Sequence, residues 1–374
     1  MKIKFLLTLF ILLCLACSCS VRQSSHVSEA LDTDSIRYAT GFTIKHYDGY
    51  TSAEVHDPWD STRILQRYLL VDRSQPLPDN MPKGTIVRTP IRNIAVYTTV
   101  HSSIIDQLGE TDKIVGICEP HYIKTESVQT LLRSGQIADL GEATSPNVER
   151  MIEIGAEIII ASPFQNNGYG QAEKLGIPII EGADYTEPTP LGRAEWGRFY
   201  GLLLGKREVA DSIFRETESR YLALKELAAS AVNRPTVLTD KRYGSTWFVS
   251  SGESYVAEFF RDANVEYIFS DLKGTASLPM SFETVFERAI DADFWLIRYN
   301  QPINMTYADL RSEYNPYENF KAFKQRNVYS CNTGNVPYYE EFPISPDFLL
   351  KDMIKIFHPE LLPDEELRYY HKMP

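Results

Sequence analysis

From Ile91 onward the chain alternates compact apolar runs with stretches of helical periodicity. "RNIAVY", "KIVGI", "EIIIAS" and "IPIIE" are short and continuously apolar, and between them lie "SSIIDQLG", "PNVERMIEIG" and "GQAEKLG". Apolar runs without polar alternation predict strands buried on both faces, as in a parallel sheet covered by helices. Gly109, Gly155 and Gly176 stand where those helices must stop. The pattern returns after Pro235. There "TVLTD", "TWFVS", "EYIFS", "DFWLIR" and "NVYS" read as strands, with helices at "ESYVAEFFRDA", "SFETVFERAI" and "YENFKAFKQ". A closing helix is predicted in "SPDFLLKDMIKIFHPELLP", with Pro346 near its start, where a missing N–H is harmless, and Pro359 near its end.

Between the two blocks, Val209, Ile213, Phe214, Tyr221, Leu224 and Ala228 approximate one stripe. A single helix over 206–230 would be roughly 37 Å long at 1.5 Å per residue, enough to cross between domains. Ahead of the first block, residues 37–89 carry short β-type runs and turn signals such as Asp48-Gly49, which predict a small antiparallel appendage. Residues 17–36 are polar and aperiodic, as expected of a flexible tether. The first 16 residues, with Lys2, Lys4 and the apolar run Phe5 to Leu13, have the order of a secretory signal. In "CLACSCS", Ala16 before Cys17 is similar to a lipobox and nominates Cys17 for lipidation, with Cys19 as the alternative. The predicted class is therefore α/β. Two Rossmann-like lobes, 90–190 and 232–374, are joined by a connecting helical segment at 191–231, with the β-rich appendage at the front.

Charge and chemistry narrow the function. The net charge is −12, and removal of the signal makes the chain more acidic, so the basic face that nucleic acid needs is missing. An acidic protein suits a partner presenting arginines. Five cysteines, three of them within the first 19 residues, give no disulfide framework; a bridge between Cys118 and Cys331 is left open. The seven histidines lack zinc-enzyme spacing, so no resident metal and no cofactor are expected; a site shared by His101 and His121 is the lesser alternative. "GLLLGKR" has three residues between its glycines and Arg207 where a phosphate loop needs a hydroxyl. No Gly-x-Ser-x-Gly elbow or cysteine–histidine nucleophile motif appears, so no catalytic residue is nominated.

Taken together, "DKIVGICEPHYI", "IADLGEATSPNVERMIEIGAEIIIASPF", "YTEPTPLGRAEWGRFYGLLLGKREVADSIF" and "VSSGESYVAEFFRDAN" resemble the ABC-transporter substrate-binding proteins that carry ferric siderophores, cobalamin or haem. The resemblance runs from Ile91 to the C-terminus. "RNVYSCNTGN" and the closing helix are similar to a branch found in Bacteroidetes lipoproteins. It implies a periplasmic, lipid-anchored monomer that binds a small metal chelate and delivers it to an inner-membrane permease dimer with its own ATPase. The alternatives are cobalamin or haem as ligand or, in a different class, an enzyme acting on the bound complex.

In that family each lobe offers an exposed glutamate to an arginine of the permease, and by position these are Glu149 and Glu283. Both fall in a first helical turn, where the helix dipole favours a negative charge. Ligands of open α/β sheets sit beyond the carboxyl ends of the strands. Lobe one thus nominates Thr99, His101, Tyr122, Asn166, Tyr169 and Tyr185, with Thr98, His121 and Phe164 beside them. Lobe two nominates Arg242, Trp247, Arg298, Tyr299, Asn335 and Tyr338, flanked by Tyr243 and Tyr339. Aromatic rings and arginines suit a large, flat, partly anionic chelate.

Overall fold

The computed structural model describes residues 30–374. The signal, Cys17, Cys19 and most of the tether lie outside the described residues. The appendage is a five-stranded sheet in the order β1 (Asp32–Thr33), β2 (Phe42–Tyr47), β3 (Tyr50–His56), β4 (Ile64–Asp72) and β5 (Thr85–Thr89). Two expectations are corrected here. The first strand lies within the stretch read as tether, and β5 runs parallel to β4 rather than antiparallel. The proline-rich connection after Asp72 is what lets the chain cross over and return in the same direction.

Lobe one follows as β6 (Ile94–Val96), α1 (Thr99–Gln107), β7 (Ile114–Ile117), α2 (Glu126–Arg133), β8 (Ala138–Asp139), α3 (Val148–Glu153), β9 (Ile158–Ala161) and β10 (Ile179–Glu181). Its sheet has the order β10-β9-β6-β7-β8, with every pair parallel. Every residue of β6 and β9 is buried, as continuous apolar runs require. "GQAEKLG" closes into a 3₁₀ turn at Ala172–Leu175 instead of an α-helix.

The appendage is built into this lobe. Phe42, Tyr68 and Val87 share one core with Ile94, Ile160, Trp196 and Phe199, and the Phe42 and Trp196 rings meet edge to face at 4.9 Å. Tyr68 also serves the edge strand β10: its hydroxyl donates to the Ile179 carbonyl (2.9 Å) and accepts from the Glu181 N–H (2.7 Å). A strand edge that would be a free template is thereby capped.

Two helices lead onward. α4 (Pro190–Leu204) starts under the Thr189 hydroxyl, which accepts the Gly192 N–H (3.1 Å), and ends at Gly205, whose φ of 70° closes the helix without a Cβ penalty. It is buried on nearly every face. α5 (Arg207–Ala229) runs unbroken for 23 residues, about 35 Å.

Lobe two comprises β11 (Thr236–Thr239), β12 (Arg242–Tyr243), β13 (Thr246–Ser250), α6 (Tyr255–Asp262), β14 (Glu266–Tyr267), β15 (Ser277–Met280), α7 (Phe282–Ala289), β16 (Phe294–Tyr299), α8 (Tyr307–Glu313), α9 (Lys321–Lys324), β17 (Val328–Asn332), α10 (Tyr338–Glu341), α11 (Pro346–Phe357) and β18 (His371–Lys372). The main sheet has the order β14-β11-β16-β17-β18, parallel except for β18. "TWFVS" is not part of it. That run is β13, the centre of a separate antiparallel sheet with β12 and β15. The reason is visible in its alternation, since Trp247 and Val249 are buried while Phe248 between them is exposed, the pattern of a sheet covered on one face. "YENFKAFKQ" likewise breaks at Phe320 into a 3₁₀ turn and α9.

Candidate functional site at the strand ends

In each lobe the strand order reverses beside the first strand, between β6 and β9 in one and between β11 and β16 in the other. Such reversals leave a crevice at the carboxyl ends of the strands. In lobe two that crevice is floored by an ion pair. Arg298, near the end of β16, donates from Nε to Asp240 Oδ1 (3.0 Å) and from Nη2 to Oδ2 (2.6 Å), and Asp240 directly follows β11. The side chains are 21% and 20% exposed. Burial alone would lower the arginine's pKa, but Asp240 outweighs it and holds Arg298 well above the usual range, so it stays cationic. Tyr338 and Tyr339 stand beside this pair, their ring centres 5.1 Å apart.

In lobe one the Thr98 hydroxyl lies 2.9 Å from His101 Nδ1, and His101 Nε2 lies 3.2 Å from Asp184 Oδ1. Arg193 of α4 donates from Nε to Asp184 Oδ2 (3.1 Å). Burial would raise the Asp184 carboxyl, yet the contacts from His101 and Arg193 together hold it below the usual aspartate range. The Arg193 guanidinium then crosses to lobe two, 5.4 Å from the centre of the Tyr255 ring and 5.1 Å from that of Phe342. Tyr255 and Phe342 stack at 5.9 Å, and Phe342 lies 4.9 Å from Tyr338. A continuous floor thus joins the two crevices.

Exposed rings stand around this floor. Tyr122 is 49% exposed and packs on His121 at 4.0 Å; Phe164 is 59% and Tyr339 46% exposed. Thr99 is half-buried, and Asn166 is exposed at the turn after β9, with φ 61°. The Tyr185 hydroxyl donates to the Pro163 carbonyl and Tyr169 to Glu181, so both half-buried rings brace the loops that carry Phe164 and Asn166. Arg242 lays its guanidinium 3.9 Å from the centre of the Tyr314 ring, and exposed Asn335 bonds Asn304 at 3.3 Å.

Four nominated residues face inward and are corrected from cleft wall to support. His101 is 1% exposed, with both ring nitrogens engaged inside lobe one. Trp247 is fully buried because it occupies an inward position of β13, and its indole N–H donates to the Thr239 carbonyl (3.0 Å). Tyr299, the last residue of β16, is buried with its hydroxyl accepting the Met305 N–H (2.8 Å), and Tyr338 is buried beneath Tyr339. Asp184, Arg193, Asp240 and Tyr255 were missed. Asp184 and Asp240 each follow a strand end, a position readable in the sequence; Arg193 sits on a helix whose near-complete burial emerges only in three dimensions.

Residues 94–333 match the family described as Periplasmic binding protein. The chain belongs to this family. Two uncharacterized lipoproteins of Methanocaldococcus jannaschii are 27% and 24% identical to it, over 92% and 95% of this chain and 87% and 90% of theirs. Among solved structures, the periplasmic heme-binding protein RhuT of Roseiflexus sp. RS-1 in apo form superposes with a TM-score of 0.59 at 18% identity, covering 72% of this chain and 99% of that one. An ABC-type Fe3+-hydroxamate transport system structure from Saccharomonospora viridis gives 0.56 at 16%, covering 72% and 94%. At these identities the likeness establishes the two-lobed fold.

In this periplasmic binding protein Glu149 and Glu283 are mounted alike. Each is the second residue of a helix that leads into a strand, α3 into β9 and α7 into β16, and each side chain is exposed. The caps match as well: Asn147 accepts the Arg150 N–H (2.9 Å) and Ser281 the Thr284 N–H (3.2 Å). In Glu283 the residue's own N–H and the Ser281 hydroxyl hold the carboxyl below its ordinary range. Helices that precede parallel strands begin at the strands' carboxyl ends, so both glutamates stand on the rim where the crevices open. Cys118 and Cys331 are buried free thiols, each pushed up to about 12 by burial. Among the described residues no helix is long and apolar enough to cross a membrane.

Proposed function

We propose that this protein is the lipid-anchored receptor of an ABC importer, holding an iron(III)-siderophore or related metal chelate between its lobes. It would hand the chelate to an inner-membrane permease dimer, docking through Glu149 and Glu283, while a separate ATPase drives transport. The carrying observation is the joined floor beneath two strand-end crevices, with Arg298 at one end, Arg193 midway and exposed Tyr122, Phe164 and Tyr339 around it. Rings of this kind offer faces for stacking and arginines offer charge-assisted bonds. The likeness to the Fe3+-hydroxamate transport system structure from Saccharomonospora viridis supports an iron chelate. Haem is the second reading, supported by the exposed Tyr122–His121 ring pair and by the similar structures of the heme-binding protein RhuT and of S. aureus IsdE complexed with heme. A lipid on Cys17 is supported by the relatives' names as lipoproteins.

Titration of the purified protein with ferric siderophores, cobalamin and haem should give a saturable one-to-one absorbance shift with one of the three. Conversion of the chelate without stoichiometric retention would favour an enzyme instead. For docking, Glu149→Gln with Glu283→Gln should reduce uptake by the importer reconstituted in proteoliposomes while leaving chelate affinity unchanged. Undiminished uptake would remove the docking role.

A further inference from the structure

The two lobes are pinned together at a point that neither the long helix nor the cleft floor explains. Glu340 belongs to α10 in lobe two and is 2% exposed, yet its carboxylate is spent entirely on lobe one. It accepts the backbone N–H of Lys124 (2.9 Å), the N–H of Thr125 (3.1 Å) and the Thr125 hydroxyl (2.9 Å). These donors lead into α2, whose first N–H groups have no partner within the helix. A buried carboxylate aligned with such donors makes charge-assisted bonds, stronger than neutral ones.

What the carboxylate holds is also notable. Lys124 and Thr125 end the loop that carries His121 and Tyr122 on lobe one's rim, and the Gln129 side chain ties that loop from within by donating to the carbonyls of Pro120 (3.0 Å) and Ile123 (2.9 Å). On the other lobe Glu340 directly follows Tyr338 and Tyr339, which stand beside Arg298. Its other neighbour, Glu341, clasps Arg368 at 2.6 and 2.7 Å and stays within lobe two. Within α10, therefore, Glu340 fastens the opposite lobe and the next residue, Glu341, fastens its own.

We infer that Glu340 is a positioning residue that sets the aperture of the cleft, by fixing the Tyr122 loop of lobe one relative to Tyr339 of lobe two. It needs no contact with ligand, and the inference holds for any chelate. The spacing of the two rims is then set by one carboxylate as well as by the long helix, so loosening it changes lobe separation without loosening either core.

The test uses the full chain in detergent without ligand. Ketone-bearing residues replace exposed Ile152 in lobe one and exposed Lys273 in lobe two and carry spin labels, which avoids the native cysteines. Glu340→Ala should broaden and lengthen the inter-label distance distribution, and amide exchange at residues 124–126 should accelerate about tenfold or more as the bonds are lost. Glu340→Gln keeps one acceptor oxygen and should shift the distribution less; it carries the test alone should the alanine variant not fold. Glu341→Gln should leave the distances at their wild-type values. An unchanged distribution in the Glu340 variants, or an equal broadening from Glu341→Gln, overturns the assignment.

Discussion

Replacing Asp240 by asparagine isolates the charge at the cleft floor while nearly preserving shape. Two bonds from Arg298, at 3.0 and 2.6 Å, converge on that carboxylate. Removing one partner of a fully buried ion pair costs roughly 3–5 kcal/mol, because the other charge is stranded. Here each side chain is about a fifth exposed, and the amide oxygen retains one acceptor, so the expected loss is about 2 kcal/mol. With a urea dependence of about 2–3 kcal/mol per molar, the lobe-two transition followed by near-ultraviolet circular dichroism should move down by about 0.7–1 M. Ligand preference should move the other way. With Arg298 relieved of its carboxylate, a trianionic ferric tricatecholate should bind about tenfold tighter, while a neutral ferric trihydroxamate should be unaffected. An unchanged urea midpoint would refute the view that the pair is a structural part of the floor. Equal changes for both chelates would refute its role in sensing ligand charge.

Two further outcomes follow from the supports around the cleft. Tyr68→Phe removes both the donor to the Ile179 carbonyl and the acceptor for the Glu181 N–H, so the chain should lose about 2–3 kcal/mol in urea unfolding; a loss under about 0.5 kcal/mol would show that water replaces the hydroxyl at the edge of β10. Because the Asp184 carboxyl is held below its unfolded value, its stabilising effect is complete above about pH 4 and is lost as the pH falls through its folded value. Asp184→Asn should therefore be less stable at pH 7 but show a flatter acid limb in a circular-dichroism titration, and parallel limbs down to about pH 2 would contradict this.

The appendage gains a physical role from its contacts. Residues 37–41, which lead into β2, are clamped by two buried carboxylates, one in the second turn of α4 and one just before the helix. Glu195 accepts the N–H groups of Arg37 (3.1 Å), Tyr38 (2.8 Å) and Ala39 (2.9 Å), and Glu187 those of Thr40 (3.0 Å) and Gly41 (2.8 Å). Gly41 is obligatory there, since a Cβ would come within 2.8 Å of the Trp196 ring and 2.9 Å of the Glu187 carboxylate. The family match begins at residue 94, so this sheet lies ahead of the matched region, yet its side chains are part of lobe one's core.

Local pattern in the sequence determined much of this protein: the alternation of strands and helices, the two mainly parallel sheets, the unbroken helix after Lys206, and the two first-turn glutamates. Continuous apolar runs, helix stop signals and cap residues act over a few positions, so they are readable without knowing what packs on them. The sequence also named the loops at the strand ends, but not which side chains in them face outward. His101, Trp247, Tyr299 and Tyr338 have the right chemistry at or near the strand ends, and only their neighbours in space turn them inward. The same holds for Asp240 under Arg298, for Tyr68 at the edge of β10 and for Glu340 across the lobes, each joining segments far apart in the chain. A carboxylate's partners are decided by burial, which removes water as the competitor, and burial belongs to the tertiary structure rather than to any local run of residues.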